Sequence, residues 1–593
     1  MSNVFELITT EENNYQTTPH NVTDTWNWKM SEHILTTVHY KNSIFIGGKD
    51  DNKPFKNIIL PILTLQYTAE DFDVKDINLF VDNAEEYYKS FILKKYHDKW
   101  ARENHIDTFI DELVESYVDF GGVLVKNVNQ ARPEVVKLQS IAFCDQGNLL
   151  GGTIGIKHSY SPDQLKDIGT ELGWGDTSKG ATMSLDEVIR ASTQQENTNT
   201  PQNPNSSNKK TGKNIEVYEV HGTFPQSWLS KGNDEYEGKD TDYTQQLHVV
   251  CFYKDKEDKK QGVCLFKGKE YESPFKLLLR DEIYNRALGR GGAEELFEAQ
   301  VWTNWDEIVV KEMMEQVSKV IHQTADTGFT TRNNVKNAEN GEVWVYEEGK
   351  PVTQVNTQAP SFNLFDKKIA EWEIHAKQIG FANDAMLGVS PTAGTPFALQ
   401  ELVVQTGRGP HERRKGKMAE FVAEIYRDWV IPHIIKEVTK GQKFISELSL
   451  DELQKLSEDV TQCEINKYVK DQILNGELMM QEEIDALKEE YKQEFINKGS
   501  DRFFEIFKDE FKKSPINVKI NIAGKQYNLH EKVQKLTNIF RQVLAAPQVL
   551  QDPKMAQLFN NIIESSGLDP IDFSGYKAPV PSPIQQQDLQ LTQ

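Results

Sequence analysis

Residues 289–324 read GRGGAEELFEAQVWTNWDEIVVKEMMEQVSKVIHQT and contain the longest helical pattern in the chain. Apolar side chains recur every three to five residues along one face of this stretch: Phe297, Val301, Trp305, Ile308, Met313, Val317 and Val320. The pattern predicts a helix over 293–324, roughly 45–50 Å long at about 1.5 Å per residue. The Gly-Arg-Gly-Gly entry is typical of a turn that starts a helix. It lacks the Lys-Ser/Thr and the βαβ setting of a phosphate-binding loop.

A second long helix is predicted at 364–386, where Ile369, Trp372 and Ala376 share one face. The segment between the two helices, 325–363, predicts a small β module. Its expected parts are a strand at Glu342–Tyr346, a turn at Glu348-Gly349 and a strand at Val352–Val355. Two long helices are therefore joined by a β element that could sit far from the main body.

The rest of the chain predicts a mostly helical α+β protein. Helical periodicity covers 76–120, and strand patterns that indicate an antiparallel sheet follow from 123 to 266. The other expectations are an irregular polar segment at 1–54, a disordered insertion at 192–213, a Gly/Pro-rich loop at 387–397, helices at 398–404 and 413–437 separated by Gly407–Pro410, a strand at Val518–Ile522, further helices up to about 570, and a disordered Pro/Gln-rich tail.

Composition limits the classes of function. The chain has 593 residues and a formal charge of −23. This charge argues against a protein that binds nucleic acid through a broad basic face, because phosphate binding requires Lys and Arg. The four cysteines form no CxxC and have no His at zinc-ligand spacing, so we expect reduced thiols in a cytoplasmic setting. Residues 1–10 lack the pattern of a signal peptide, and the apolar run 57–65 is too short to span a bilayer, so no membrane association is expected.

No catalytic constellation stands out in the sequence. It contains no GxxxxGK[ST], GxSxG, HExxH or DFG motif, and its carboxylate pairs are those that an acidic chain produces by chance. We therefore predict no catalytic, cofactor-binding or metal-binding residue and expect a protein that is not an enzyme. A metal-dependent nuclease built on scattered Asp and Glu is the competing hypothesis, and it requires DNA cleavage with magnesium or manganese.

One basic cluster interrupts the acidic chain, and its candidate contact residues are Arg408, Arg413, Arg414, Lys415 and Lys417. One interpretation is a solvated helix start or a set of ion pairs between subunits. The other is contact with a polyanion such as DNA, or with an acidic neighbouring subunit.

The order of these modules resembles the portal proteins, or head-to-tail connectors, of tailed bacteriophages. The resemblance is carried by Phe143–Leu165, by Ser273-Pro274-Phe275 followed by the Gly-rich entry at 289–294 with Gln300 and Asn304, and by Asp384–Gly388 with Thr392–Thr395. It covers about 55–570. The acidic, Gln/Asn-rich style is similar to the portals of crAss-like phages.

The resemblance implies a portal architecture of wing, stem, clip and crown that forms a ring around a central channel. It implies the following boundaries: an N-terminal arm at 1–54, a wing at 55–290, stem helices at 293–324 and 364–386, a clip at 325–363, a channel loop at 387–397, helices returning to the wing at 398–440, a crown at 441–575 and a tail at 576–593. The candidate channel-loop residues are Leu387, Gly388, Ser390, Thr392, Gly394 and Thr395, and those for stem packing are Trp305, Met313 and Trp372.

The function that the resemblance implies is structural. Such a ring, of twelve subunits in this family, would form the channel for double-stranded DNA packaging and ejection at one vertex of the virion. Its partners would be terminase, the major capsid protein and head-tail adaptor or neck proteins, with assembly in the host cytoplasm. The alternative is another helical virion or cytoplasmic scaffold protein that has no channel.

Overall fold

A computed structural model describes most of the chain. The described residues are 2–46, 53–81, 87–128, 131–177, 180–194, 214–229, 241–254, 260–270, 272–317, 321–333, 343–355, 362–388, 397–438, 450–476, 479–498 and 516–520. The predicted insertion at 192–213 is wrong for 192–194, which belong to the helix Leu185–Gln194. Residues 195–213, the greater part of the channel loop and the tail lie outside these ranges, so the predictions for them stay predictions.

The described residues form both helices and strands, as the sequence predicts. The helices are α1 Ser2–Thr17, α2 Met30–Lys41, α3 Ile59–Glu70, α4 Tyr87–Glu103, α5 Ile106–Phe120, α6 Pro162–Leu172, α7 Leu185–Gln194, α8 Gly292–Val317, α9 Phe329–Arg332, α10 Phe362–Ile379, α11 Phe397–Ile425, α12 Ile431–Val438, α13 Leu450–Leu474 and α14 Gln481–Lys498. The strands are β1 His20–Thr23, β2 Trp26–Trp28, β3 Ile77–Val81, β4 Gly122–Val128, β5 Arg132–Val136, β6 Ile141–Phe143, β7 Ile154–Tyr160, β8 Ile215–Pro225, β9 Tyr243–Lys254, β10 Lys260–Lys269, β11 Phe275–Leu279, β12 Ile321–Gln323, β13 Thr353–Val355 and β14 Ile516–Ile520.

The chain divides into two compact units, and the first contains residues 1–70 and 111–421. Its main sheet has the antiparallel order β10-β9-β8-β7-β6, so the predicted antiparallel sheet is present. Alternate residues of β8 and β9 point to opposite faces of this sheet. Tyr218 and Val250 belong to the apolar cluster on one face, and Val217 and Cys251 belong to the cluster on the other. The sheet is therefore buried on both sides.

A smaller sheet, β11-β4-β5, lies next to the start of α8. The turn after α5 contains Gly121, whose φ of +74° lies in the left-handed region that favours glycine. A Cβ on Gly121 would lie 2.5 Å from the backbone of Arg290, and one on Gly291 would lie 2.2 Å from the carbonyl oxygen of Asp119. The glycines of the entry turn thus allow α8 to begin directly against this sheet.

The prediction that residues 1–54 are irregular is wrong for most of that segment. Helices α1 and α2 flank a hairpin, and Ile8, Met30 and Ile34 are buried in the apolar cluster that also contains Phe143. The apolar residues of α1 are separated by Glu, Asn and Thr, so its helical period is weak in the sequence. The tertiary contact, and not local propensity, stabilises it.

The second unit contains residues 71–110 and 422–593. Residues 77–81, predicted as the start of a helix, form β3, which pairs with β14 in the antiparallel register Leu79↔Val518. The strand predicted at Val518–Ile522 is thus present over Ile516–Ile520, and residues 521–522 lie outside the described ranges. Elsewhere in this unit His97 Nε2 lies 3.0 Å from the hydroxyl of the buried Tyr426, and burial raises the pKa of that hydroxyl.

Helix α11 is continuous from Phe397 to Ile425, although the sequence predicts two helices separated by Gly407–Pro410. Pro410 removes one helical hydrogen bond, but the residue before it is Gly409, which has no Cβ to clash with the proline ring. Gly407 has a different role, because a Cβ there would lie 2.2 Å from Asn383 Nδ2. The glycines thus permit the helix to pass through the proline and to approach the segment after α10.

Candidate functional site

Helices α8 and α10 form an antiparallel pair. The ring of Trp302 stacks on that of Trp372 with centroids 6.3 Å apart and planes within 10°. Towards the other end of α10, a Cβ on Gly380 would lie 3.6 Å from the Leu296 side chain. The residue number rises along α8 as its partner's number falls along α10, so the helices run in opposite directions. Helix α8 has 26 residues and is about 39 Å long at 1.5 Å per residue.

Gln300 and Asn304, two residues of the motif at the start of the first long helix, bind the segment before α3. Gln300 Oε1 accepts from Ile58 N at 2.8 Å, and Gln300 Nε2 donates to Lys56 O at 2.6 Å. Asn304 Oδ1 accepts from Lys56 N at 3.0 Å. Both amides are buried. Their role here is to satisfy backbone groups that would otherwise be buried without a partner.

Lys56 also connects the two long helices. Its Nζ lies 2.7 Å from Glu373 Oε1 on α10 and 3.4 Å from Glu307 Oε1 on α8. These carboxylates raise the pKa of Lys56 against the opposing effect of burial. Since the Lys56 side chain is 42% exposed, its two ion pairs contribute little to the stability of the fold. Their main effect is to fix the position of the segment before α3.

The predicted stem-packing residues do not share one environment. Trp372 is half-buried beneath Trp302, and Met313 is half-buried. Trp305 is 58% exposed, and Trp302, which the sequence argument did not select, is 45% exposed. Trp302 precedes Trp305 by three residues, a spacing that could have identified it. Trp302, although one face of its ring stacks on Trp372, and Trp305 therefore both leave ring surface exposed on α8.

The segment between α8 and α10 contains a small β element that differs in detail from the prediction. Helix α8 ends at Val317 rather than at 324, and Ile321–Gln323 is a strand that pairs with Thr353–Val355. Residues 343–347 are not a strand, because their hydrogen bonds come from side chains and not from a backbone ladder. The predicted turn is present, and Gly349 has a φ of +82°.

The first turn of α8 is fixed by Arg286. Its guanidinium bonds Glu294 at 2.6 and 2.8 Å, donates to the carbonyl oxygen of Leu288 at 2.8 Å and lies 4.9 Å from the centre of the Trp28 ring. Burial raises the pKa of Glu294, but the hydrogen bonds and charge of Arg286 outweigh it, so the pKa is lowered. The entry turn is thus occupied by a side chain of this chain.

A buried ion-pair network joins α3, the segment after β11, α8 and α11. Glu70 Oε1 accepts from Arg280 Nη2 at 3.1 Å and lies 3.1 Å from His411 Nδ1. Arg414 Nη2 donates to Glu295 Oε1 at 2.9 Å and to Asp281 Oδ2 at 2.6 Å. Burial raises the pKa of Glu295, which Arg280 and Arg414 oppose. The network is intrachain, so its ions pair within one folded unit.

The predicted basic cluster is divided by burial. Arg414 and Lys415 are buried, Lys417 Nζ donates to the carbonyl oxygen of Arg280 at 3.0 Å, and Arg413 is exposed. Arg408, at the other end of the cluster, is half-buried. Contact of this cluster with DNA or with a neighbouring subunit stays a prediction, and Arg413 is its exposed member.

The candidate channel loop is described only at its beginning. Leu387 donates its backbone N–H to Asn383 O at 3.0 Å, and Gly388 has a φ of +77°, so the chain turns away from α10 here. Ser390, Thr392, Gly394 and Thr395 lie outside the described residues.

Metal-ligand clusters and membrane-spanning helices are both absent from the described residues. No group of three or more His, Cys, Asp or Glu side chains in this part of the chain is arranged to hold a metal ion. Within the same ranges, no helix is long and apolar enough to cross a membrane.

Comparisons with known proteins give only distant likenesses. No family model matches the chain, and no curated protein matches it. One similar solved structure is described as the virion of a native gene transfer agent particle, with 9% identity, a TM-score of 0.33, and coverage of 75% of this chain and 98% of that one. Another is the neck of an empty gene transfer agent particle, with 9% identity, a TM-score of 0.32, and coverage of 71% and 93%. TM-scores this low do not establish a shared fold.

Proposed function

We propose that this chain is the subunit of a portal ring, a structural component of a phage-like particle. The observation that carries the proposal is the antiparallel pair α8 and α10, which is joined at one end by the β12–β13 element and exposes two tryptophans. The sequence resemblance implies a stem of two helices joined by a small β element as the clip, and this helix pair supports that assignment.

The exposed tryptophans favour an assembled state. A large aromatic side chain that stays half-exposed on a rigid helix leaves apolar area in water, which contact with another protein would bury. Trp302 and Trp305 lie on the same side of α8. Repeating the protomer around an axis would bring this side against a neighbouring copy, and a contact of that kind closes into a ring.

The charge suits a channel for DNA. With a net charge of −23 per subunit, the ring would repel a duplex that carries one negative charge per ~1.7 Å, and so would leave it free to slide. In this proposal double-stranded DNA passes through the ring during packaging and ejection. Terminase, the major capsid protein and the neck proteins dock on it, and the ring belongs to the virion.

Electron microscopy of the purified protein tests the proposal. We expect rings with a central pore, of twelve subunits if the stoichiometry of the family holds. Monomers or dimers at every protein concentration and ionic strength would contradict a portal. Regular particles without a pore would favour the helical scaffold instead.

A further inference from the structure

Residues 343–347, here called the open segment, receive side-chain hydrogen bonds along one edge from Asn333 and Asp326. Asn333 Nδ2 donates to Val345 O at 2.7 Å, and Val345 N donates to Asn333 Oδ1 at 2.8 Å. Glu347 N donates to Asp326 Oδ2 at 3.0 Å. In an extended chain the backbone groups of residues two apart point to the same side. The amide of Asn333 therefore takes the place of a neighbouring strand along the inner edge.

The outer edge of the open segment has no partner in the described part of the chain. The alternation of an extended chain places the N–H and C=O groups of Trp344 and Tyr346 on the edge opposite Asn333, and no described residue is seen to bond them. The Trp344 ring anchors the segment from below, with edge-on contacts to His322 and Phe329 at 5.3 and 5.7 Å. The segment is thus fixed in position, and within the described ranges no backbone group pairs with its outer edge.

The side chains beside this edge are apolar and exposed. Val343 is 84% exposed, Val345 60% and Tyr346 53%. Valine and tyrosine favour strands, and alternate valines offer one face to the side chains of a paired strand. An exposed edge of this kind is a template for the addition of another strand.

The charged side chains next to the open segment indicate which side chains an added strand would have. Glu347 pairs with Lys350 at 3.0 Å, whereas Glu348 is exposed and has no cationic partner among the described residues. Antiparallel pairing of this segment with the same segment of a second copy would place Glu347 opposite Val343 and, by the sequence, Glu348 opposite Glu342, so a like-charged pair would form at each end of the ladder. A strand with a Lys or Arg opposite Glu348 would be complementary.

We propose that the open segment is a docking site for an extended segment of another polypeptide. That segment adds as an antiparallel strand along Trp344 and Tyr346, places apolar side chains beside Val343 and Val345, and places a basic side chain opposite Glu348. The inference does not depend on the proposed function, because it rests only on the local hydrogen bonds, exposure and charge.

A synthetic peptide tests the site on the full-length protein. The probe is acetyl-Lys-Val-Thr-Val-Thr-Val with a fluorophore at its carboxyl end, followed by fluorescence anisotropy. When its lysine faces Glu348, its two threonines pair with Tyr346 and Trp344. We expect saturable binding that weakens about tenfold or more when both threonine nitrogens are methylated, because two backbone hydrogen bonds are lost. Replacing the lysine by glutamate also weakens it.

Two variants at one position provide the matched control. Tyr346→Pro removes an N–H from the outer edge and should weaken binding about as much as peptide methylation, whereas Tyr346→Thr keeps the N–H and should bind within about threefold of the wild type. Absence of binding, or equal binding of the methylated peptide, would overturn the proposal. If the peptide binds only dilute monomer and is excluded from the oligomer, the edge is occupied by a second copy and the assignment to another polypeptide is wrong.

Discussion

Adjacent residues of α11 lie in opposite environments. Arg414 is buried and bonds Glu295 and Asp281, while Arg413 points into solvent. The helical pattern of the sequence does not separate them, because both belong to one basic run. Burial determines which of the two charges serves the fold and which is available to a partner.

Replacement of the two arginines should have very different costs. Arg414→Met leaves the buried Glu295 without its closest donor, so we expect a loss of about 3 kcal/mol in the free energy of unfolding. Arg413→Met should change it by less than about 0.5 kcal/mol. Urea unfolding followed by circular dichroism measures both. If Arg414→Met lowered the free energy of unfolding by no more than about 0.5 kcal/mol, as expected for Arg413→Met, the network would contribute no stability.

Glu219 on β8 gives a prediction for pH. Burial raises the pKa of its carboxyl, but the His158 and His221 rings, whose Nε2 atoms lie 3.4 and 4.0 Å from Glu219 Oε2, and the charge of Lys126 outweigh it and hold the pKa well below 4.5. The unfolded chain therefore takes up this proton first on acidification. The stability from Glu219 is present above about pH 4.5 and is lost as the pH falls towards the folded pKa.

Glu219→Gln should isolate that contribution. The variant should be less stable than the wild type at about pH 7, because Lys126 loses its 2.5 Å carboxylate partner. The deficit should shrink on acidification below about pH 4.5, since the wild type then loses the same interaction. Urea unfolding at several pH values gives the difference directly. A deficit that is independent of pH would refute the assigned pKa.

At the scale of elements, the start of α8 depends on close backbone contact. A Cβ on Gly291 would lie 2.2 Å from the Asp119 carbonyl oxygen, while one on Gly416 in α11 would meet nothing within 4 Å. We expect Gly291→Ala to destabilise the protein by about 1–3 kcal/mol, because backbone must move. Gly416→Ala should stabilise it by up to about 1 kcal/mol through helix propensity. Thermal melts compare the two, and a tolerated Gly291→Ala would show that the junction is loose.

Sequence patterns predicted the elements whose evidence is local. Helices α8 and α10, the end of α5 at the Gly121 turn and the strands of the main sheet each have a period or a turn residue of their own, although α10 ends at Ile379 and not at the predicted 386. The pairing of β3 with β14 joins residues more than 400 positions apart, and Ile77, Phe80 and Val81 fit a helical period by coincidence. The contacts of Glu70 with Arg280 and His411 could not be predicted from the sequence either, since only the fold brings α3, the segment after β11 and α11 together.

At the scale of the whole molecule, the exposed tryptophans should determine assembly. Trp302→Ser together with Trp305→Ser removes the largest exposed aromatic surface of α8, and aromatic residues at such contacts often contribute about 2 kcal/mol or more each. We expect the doubly substituted protein to remain folded by circular dichroism but to elute as a monomer in size-exclusion chromatography with light scattering. Tyr284→Ser is the matched control, since Tyr284 is 91% exposed but lies in the segment before α8, and its rings should form normally. Normal rings from the tryptophan variant would show that this side of α8 does not face a neighbouring subunit.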